Sequence, residues 1–335
     1  MIDTTHLSIS NMGFFNNKNV LVTGAAGLCG HAAVKRLLDE GAYVKAVTHT
    51  TRDLDISPGK RNMLDSHLTV EQANLLDYDS CLSVTKDIDI VINFVAYLRG
   101  AKGQSESPAD LVRRNVVPNI NIIDAACKNK VDIFGFVGSS TCYPDVTYPV
   151  LETEGFKDEP HSVYAGVGWM KRYCEKVCMH LHDVTDTKFA MIRTTAIYGP
   201  HDTFDPEKCH AIPHLILKAS AKNNPYEIWG DGSQIRDFVY VDDVVDGLLQ
   251  TIKKYPVADP VNIATGVGTN VTDLVKTITD IYQYTPEFIF NTDKPTMIPI
   301  RLVSVSKAKK ILNWTSNTNL RHGLKKTIDW YETTS

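Results

Sequence analysis

The chain has 335 residues, 43% hydrophobic and 22% charged, ordinary globular proportions that set aside disordered and fibrous classes. Lysine and arginine number 35 against 39 aspartates and glutamates, a net charge of −4, so no basic excess exists to neutralise a run of nucleic-acid phosphates. No apolar run approaches the ~20 residues of a membrane helix, and the first residues lack a basic start followed by an apolar core, so a soluble cytoplasmic protein is expected.

In chain order, residues 1–17 are polar and read as a loose arm. Residues 19–23 form a β-branched run that flows into Gly24-Ala-Ala-Gly27-Leu-Cys-Gly30, and 31–39 have helical periodicity ending at Gly41. Strand, glycine turn and helix make a phosphate-binding unit. Glycine keeps the turn tight, lets the backbone approach a pyrophosphate and lets the helix pack on the strand. Free N–H groups and the positive end of the helix then receive the anion. A second strand is expected at 43–48. Beyond it, an acidic side chain would grip the ribose hydroxyls of NAD, yet Thr48 to Thr51 hold no carboxylate and Arg52 follows. That favours NADP, its extra phosphate bound to Arg52, with NAD as the alternative and a solvated arginine still open.

Further strands are expected at 68–73, 88–96 and 133–138, and helices at about 109–129 and 168–181. This alternation predicts parallel βαβ units, hence an α/β fold with a doubly wound parallel sheet. After Arg193 prolines interrupt short elements, as in a smaller grafted domain. The expected division is 18–195 and 196–335, with some later segments returning to the sheet. Seven cysteines are scattered without zinc spacing, so free thiols in a reducing compartment and no metal are expected.

Several later motifs keep one order: Phe136-Val-Gly-Ser-Ser-Thr-Cys-Tyr-Pro144, Ile197-Tyr-Gly-Pro-His-Asp202, His210-Ala-Ile-Pro213, Trp229-Gly-Asp-Gly232, Arg236-Asp-Phe-Val-Tyr-Val-Asp-Asp243 and Asp293-Lys-Pro295. With the glycine loop they resemble, over nearly the whole chain, the extended short-chain dehydrogenase/reductases that act on nucleotide sugars, most closely the GDP-L-fucose synthase group. The resemblance implies a Rossmann-type domain, a smaller α/β C-terminal sugar-nucleotide domain and a site in the cleft between them. It implies cofactor contacts from Gly24, Gly27, Leu28, Cys29, Thr48, Asn74, Leu75, Ala96 and Lys171, the last through the nicotinamide ribose. It implies that Ser139 bonds the substrate oxygen and that Ser140, His210, Trp229, Arg236 and Arg301 meet the sugar nucleotide. Trp229 would pack on a base and the Arg236 fork would reach the diphosphate. Core packing of Trp229, or pairing of Arg236 with Asp237 or Asp242, stays open. A homodimer through 109–129 and 168–181, with Val116, Ile120 and Val177 outermost, is also implied.

Two departures matter. The family places a tyrosine four residues before its lysine, on the same helical face, where the ammonium lowers the phenol's pKa. Four before Lys171 stands Val167. Tyr164 is seven away, about 10.5 Å of helical rise. With Val167 in the tyrosine's place, the proton must come from Tyr164, Thr141, His210 or water. The family's epimerising cysteine, two beyond the serine, is Thr141 here, whereas His210 matches its histidine partner. A hydroxyl is a far poorer base than a thiolate, so double epimerisation is disfavoured. The expected function is therefore hydride transfer at carbon 4 of a GDP-linked sugar at an atypical site. Nucleotide-sugar epimerisation is the alternative, and a cofactor-binding protein without turnover the second one.

Overall fold

The structure, a computed structural model, describes residues 13–49, 66–97, 108–294 and 296–334. Arg52 and most of the expected arm lie outside them. From Gly13 onward the arm departs from expectation: Phe15 is buried in the core with Phe14 against its ring edge, because two adjacent phenylalanines gain more from burial than from water.

The first half runs β1 (Asn19–Thr23), α1 (Leu28–Asp39), β2 (Tyr43–Thr48), β3 (Leu68–Gln72), α2 (Tyr78–Val84), β4 (Ile90–Asn93), α3 (Pro108–Lys128), β5 (Ile133–Ser139), α4 (Ala165–Val184) and β6 (Lys188–Thr194). The second half runs β7 (Ala196–Tyr198), α5 (Ala211–Ser220), β8 (Tyr226–Trp229), β9 (Ile235–Arg236), β10 (Phe238–Tyr240) and α6 (Val241–Lys254). It continues through β11 (Val261–Ile263), β12 (Thr269–Asn270), α7 (Val271–Ile281), β13 (Phe288–Asn291), β14 (Ile300–Arg301) and α8 (Leu320–Thr334).

Seven parallel strands form the main sheet in the order β11-β6-β5-β4-β1-β2-β3. Its central strands are almost wholly buried, as continuous apolar runs such as Ile90–Asn93 require when helices cover both faces. On one face Val34 and Leu37 of α1 pack with Val244 and Leu248 of α6. On the other, Cys81 of α2, Ile122 and Ala126 of α3 and Cys174 and Cys178 of α4 cover Phe134 and Phe136. Later elements build a third core around Tyr198, Ile212, Tyr226, Phe238 and Leu274. Strand β11 nevertheless joins the main sheet beside β6. No helix among the described residues is long and apolar enough to cross a membrane.

Strand order reverses between β1 and β4, and in such sheets ligands collect beyond the carboxyl ends at that point. The strand expected over 88–96 stops at Asn93, whose side-chain oxygen accepts from the Val95 N–H at 3.2 Å and turns the chain out of the sheet. Helix α4 begins at Ala165 rather than 168. Gly168 lies inside it because a Cβ there would stand 2.6 Å from the Thr141 carbonyl, so glycine lets the helix press against the loop after β5. Helix α2, unanticipated, is short and starts at an Asp77 cap whose carboxylate accepts from the Ser80 N–H at 3.3 Å.

A buried ion pair locks α4 to β6. Arg193 and Glu175, 1% and 0% exposed, meet at 2.7 Å. The guanidinium also donates to the Tyr143 hydroxyl at 3.1 Å and the Glu152 carbonyl at 2.8 Å. The Tyr143 hydroxyl in turn donates to Asn262 at 2.6 Å, on β11.

Candidate active site

At the β1 end, Gly24 adopts φ +63°, and a Cβ there would stand 3.0 Å from the Phe94 carbonyl, so the turn requires glycine. Helix α1 starts at Leu28 rather than 31, placing Leu28 and Cys29 in its first turn. Its N-cap, Gly27, offers no capping side chain, so first-turn N–H groups stay available to an anion. This cradle of bare backbone at a helix N-terminus fits a dinucleotide pyrophosphate. Thr48 is buried at the end of β2, and Ala96 is exposed beyond β4. Asn74 is exposed, its side chain accepting from the Leu76 N–H at 3.2 Å. Leu75 departs from expectation: its apolar side chain packs in the core under α2, leaving its backbone alone for a ligand. Asn115 of α3 holds the loop after β4, bonding the N–H and carbonyl of Tyr97, each at 2.9 Å.

Lys171 on α4 donates to the Val137 carbonyl at 2.8 Å and lies 5.2 Å from the centre of the Phe136 ring. Burial holds its pKa below the usual lysine range, against opposing pulls from Cys174 and Glu175. Val167, one turn earlier on the same helix, shares a small recess with Lys171, Asn115, Asn119, Met170 and Cys174. The lysine's neighbour at tyrosine spacing is thus an aliphatic side chain. Tyr164 ends the short turn Ser162–Tyr164 before the helix and is directed elsewhere. Burial pulls the Arg236 and Arg301 guanidiniums below their ordinary range, and in each case Tyr164 is the main opposing influence, hydrogen-bonding the first.

Ser139 closes β5. Its Oγ accepts from the Thr141 hydroxyl at 3.0 Å and the Thr141 N–H at 3.2 Å, so both hydroxyls face one way. Ser140, expected to touch substrate, is instead 7% exposed, in the short 3-10 turn Ser140–Cys142 that follows β5. Cys142 is fully buried and its thiol pushed up to about 12, chiefly by burial.

His210 immediately precedes α5, its Nδ1 3.7 Å from the Asp202 carboxylate. That carboxylate, through hydrogen bonding and charge, lifts the imidazole above its ordinary pKa against the effect of burial. Cys29 feels both the Asp202 carboxylate and Lys171, although burial is what chiefly pushes its thiol up to about 12.

Trp229, Arg236 and Arg301 are the residues expected to meet a sugar nucleotide. Trp229 is 40% exposed on β8, which sets aside core packing; the Lys218 and Lys294 ammoniums lie 5.8 and 5.6 Å from its ring centre. Arg236 donates to the Ile235 and Pro299 carbonyls at 2.8 and 3.2 Å. It does not pair with Asp237, whose buried carboxylate accepts from the Thr265 and Gly266 N–H groups at 3.0 and 2.7 Å. Arg301 stands opposite Arg236 across β14 and β9 and is 4% exposed. It donates to the Pro144 and Tyr143 carbonyls while its Nε has no partner. Sequence reasoning singled out neither Asp202, which lies beside His210, nor Lys218, which lies beside the Trp229 ring. Asp202 stood in view inside the Ile197 to Asp202 motif, whereas a lone lysine on an amphipathic helix gives no signal.

Residues 20–264 match the family described as NAD dependent epimerase/dehydratase. The GDP-L-fucose synthase of Escherichia coli (strain K12) is 27% identical over 338 residues, covering 94% of this chain and 97% of that protein. The GDP-mannose 3,5-epimerase of Arabidopsis thaliana is 26% identical over 327 residues, 94% of this chain and 82% of its own length. Among solved structures, a GDP-L-fucose synthetase from Naegleria fowleri bound to NADP superposes with a TM-score of 0.79 at 22% identity, covering 95% of this chain and 93% of that one. With the glycine cradle, the switch-point cleft and a family match over most of its length, this chain belongs to the NAD-dependent epimerase/dehydratase family.

Proposed function

We propose that the protein is an NADP-dependent oxidoreductase working at carbon 4 of a GDP-linked sugar, with Val167 in place of the usual tyrosine. One observation carries the substrate side. Arg236 is half-buried, meets no carboxylate among the described residues, and its guanidinium donates to the Ile235 and Pro299 backbone carbonyls. A cation so placed is stabilised by an anion from outside, and its planar fork suits a diphosphate. The GDP moiety follows from the relatives that act on GDP-sugars. The preference for NADP over NAD follows from the end of β2, where Thr48 and His49 offer no carboxylate to repel a phosphate.

When bound, the nicotinamide supplies or accepts a hydride. The residues of this chain do the rest. Gly24, Gly27 and the first turn of α1 hold the pyrophosphate, and Lys171 orients the adjoining ribose. The paired hydroxyls of Ser139 and Thr141 bond the sugar oxygen at the reacting carbon. Arg236 and Trp229 fix the nucleotide, so that sugar position is set from both ends of the cleft. Calorimetry with GDP-mannose and UDP-glucose tests the base: GDP-mannose is expected to bind more tightly, and the reverse order refutes the assignment.

Epimerisation beside a transient 4-ketone is the second reading, favoured by His210 beside Asp202, whose carboxylate raises the imidazole pKa. Solvent deuterium uptake next to carbon 4 would establish it. A homodimer is part of the proposal. Ile120 and Val177 pack against the chain's own core, so the outward residues of α3 and α4 are Val112, Val117, Trp169 and Tyr173. Sedimentation as a monomer at micromolar concentration would remove it.

A further inference from the structure

We propose that Asp202 is a positioning residue that holds His210 in the cleft as the proton source standing in for the missing tyrosine. This rests on the oxidoreductase reading above. The carboxylate sits on the loop after β7 with only 5% of its side chain exposed. One oxygen accepts the Thr203 N–H at 2.7 Å and stands 3.7 Å from His210 Nδ1; the other is buried without any partner. A buried carboxylate oxygen lacking a donor is costly, and the imidazole N–H lies 3.7 Å from the other oxygen of the same carboxylate. Such contacts are commonly long in the free enzyme and tighten when substrate binds.

Position supports the assignment. Cys29, in the first turn of α1, is within electrostatic reach of both Asp202 and Lys171, so the pair stands on the lysine side of the cleft, where Val167 offers no proton. His210 is about half exposed and open to a ligand. Among the described residues, Asp205 and Lys208 on the same loop pair with each other at 2.6 Å. Cys209 and Cys29 are thiols pushed up chiefly by burial. In the reducing direction, hydride from the reduced nicotinamide converts the sugar carbonyl to an alkoxide. His210 gives its Nε2 proton to that oxygen and is left neutral, while the Asp202 side chain keeps the Nδ1 proton oriented. The oxidising direction is the reverse.

Histidine NMR titration of the purified protein tests the pair without any substrate, His210→Gln assigning the resonance. The His210 midpoint is expected to lie above 6.5 and to fall in Asp202→Asn, with partial recovery in Asp202→Glu. An unchanged midpoint overturns the proposal. If Asp202→Asn does not fold, Asp202→Glu alone decides, since lengthening the carboxylate must move the midpoint of a group it holds. With a GDP-sugar that turns over, His210→Gln should lower kcat by ~10²-fold at constant KM, and Val167→Tyr in that background should restore part of it. An unchanged kcat in His210→Gln also overturns the proposal. Failure of every GDP-sugar to turn over instead removes the substrate reading and leaves the titration standing.

Discussion

Arg193 is fully buried and Arg236 half-buried, and they differ in how their charge is answered. Arg193 has its charge answered from within, by the Glu175 carboxylate and by oxygens of Tyr143 and Glu152. Arg236 finds two backbone carbonyls and the Tyr164 hydroxyl, and no carboxylate among the described residues. The first arrangement fixes how α4 lies against β6 and thereby where Lys171 stands. The second leaves an anion to be supplied from outside.

Breaking the closed network should produce the largest effect. Glu175→Gln keeps the shape but strands the Arg193 charge in a dry interior, and removing one partner of a buried pair costs about 3–5 kcal/mol. Denaturant unfolding should show a loss of that order. A loss under 1 kcal/mol would mean that water reaches the pair. The mirror experiment at the open site is Arg236→Ala, which should leave unfolding nearly unchanged. It should weaken GDP-sugar binding by about 1.5–3 kcal/mol, roughly 10-fold to 100-fold, as loss of a charge-assisted hydrogen bond predicts. If stability falls instead, Arg236 belongs with Arg193 and the comparison collapses.

The contrast also marks what the sequence could reveal. Glycine spacing after a β-branched run and alternation of strands with helices made the doubly wound sheet legible, since both depend on local periodicity. Ser139, Lys171, Trp229 and Arg236 were singled out because they stand in motifs. The Glu175 to Arg193 pair was not, because nothing in the spacing of a glutamate on one helix and an arginine on a later strand says that they meet. The burial of the Leu75 and Ser140 side chains was hidden for a related reason: only the turn of the chain decides which way a side chain faces. Asp202 was visible as a letter but not as a partner of His210, a relation created by the loop between β7 and α5.

Trp229 sharpens the open half further. If a base lies on its exposed ring, Trp229→Ala should reduce GDP affinity by about 1–3 kcal/mol, the range of base stacking on an aromatic side chain. Its loss should be similar for GDP and for GDP-mannose, since the sugar adds nothing at the base end. A loss confined to GDP-mannose would place the ring against the sugar.

The smallest effect is the most discriminating, and it concerns Tyr164. If this residue were the displaced acid/base, Tyr164→Phe would lower kcat by ~10²–10⁴-fold. The structure turns its hydroxyl toward Arg236, on the nucleotide side, while Val167 shares the recess with Lys171. Tyr164→Phe should therefore remove one hydrogen bond from the arginine, worth about 0.5–1.5 kcal/mol. The loss should fall on KM or on GDP-sugar affinity, leaving kcat and its pH profile in place. Val167→Tyr supplies the control, because it sets a phenol one helical turn from Lys171, where that charge lowers its pKa. If Tyr164→Phe abolishes turnover while Val167→Tyr changes nothing, the proton passes through Tyr164 and the arginine beside it belongs to the chemistry as well as to binding.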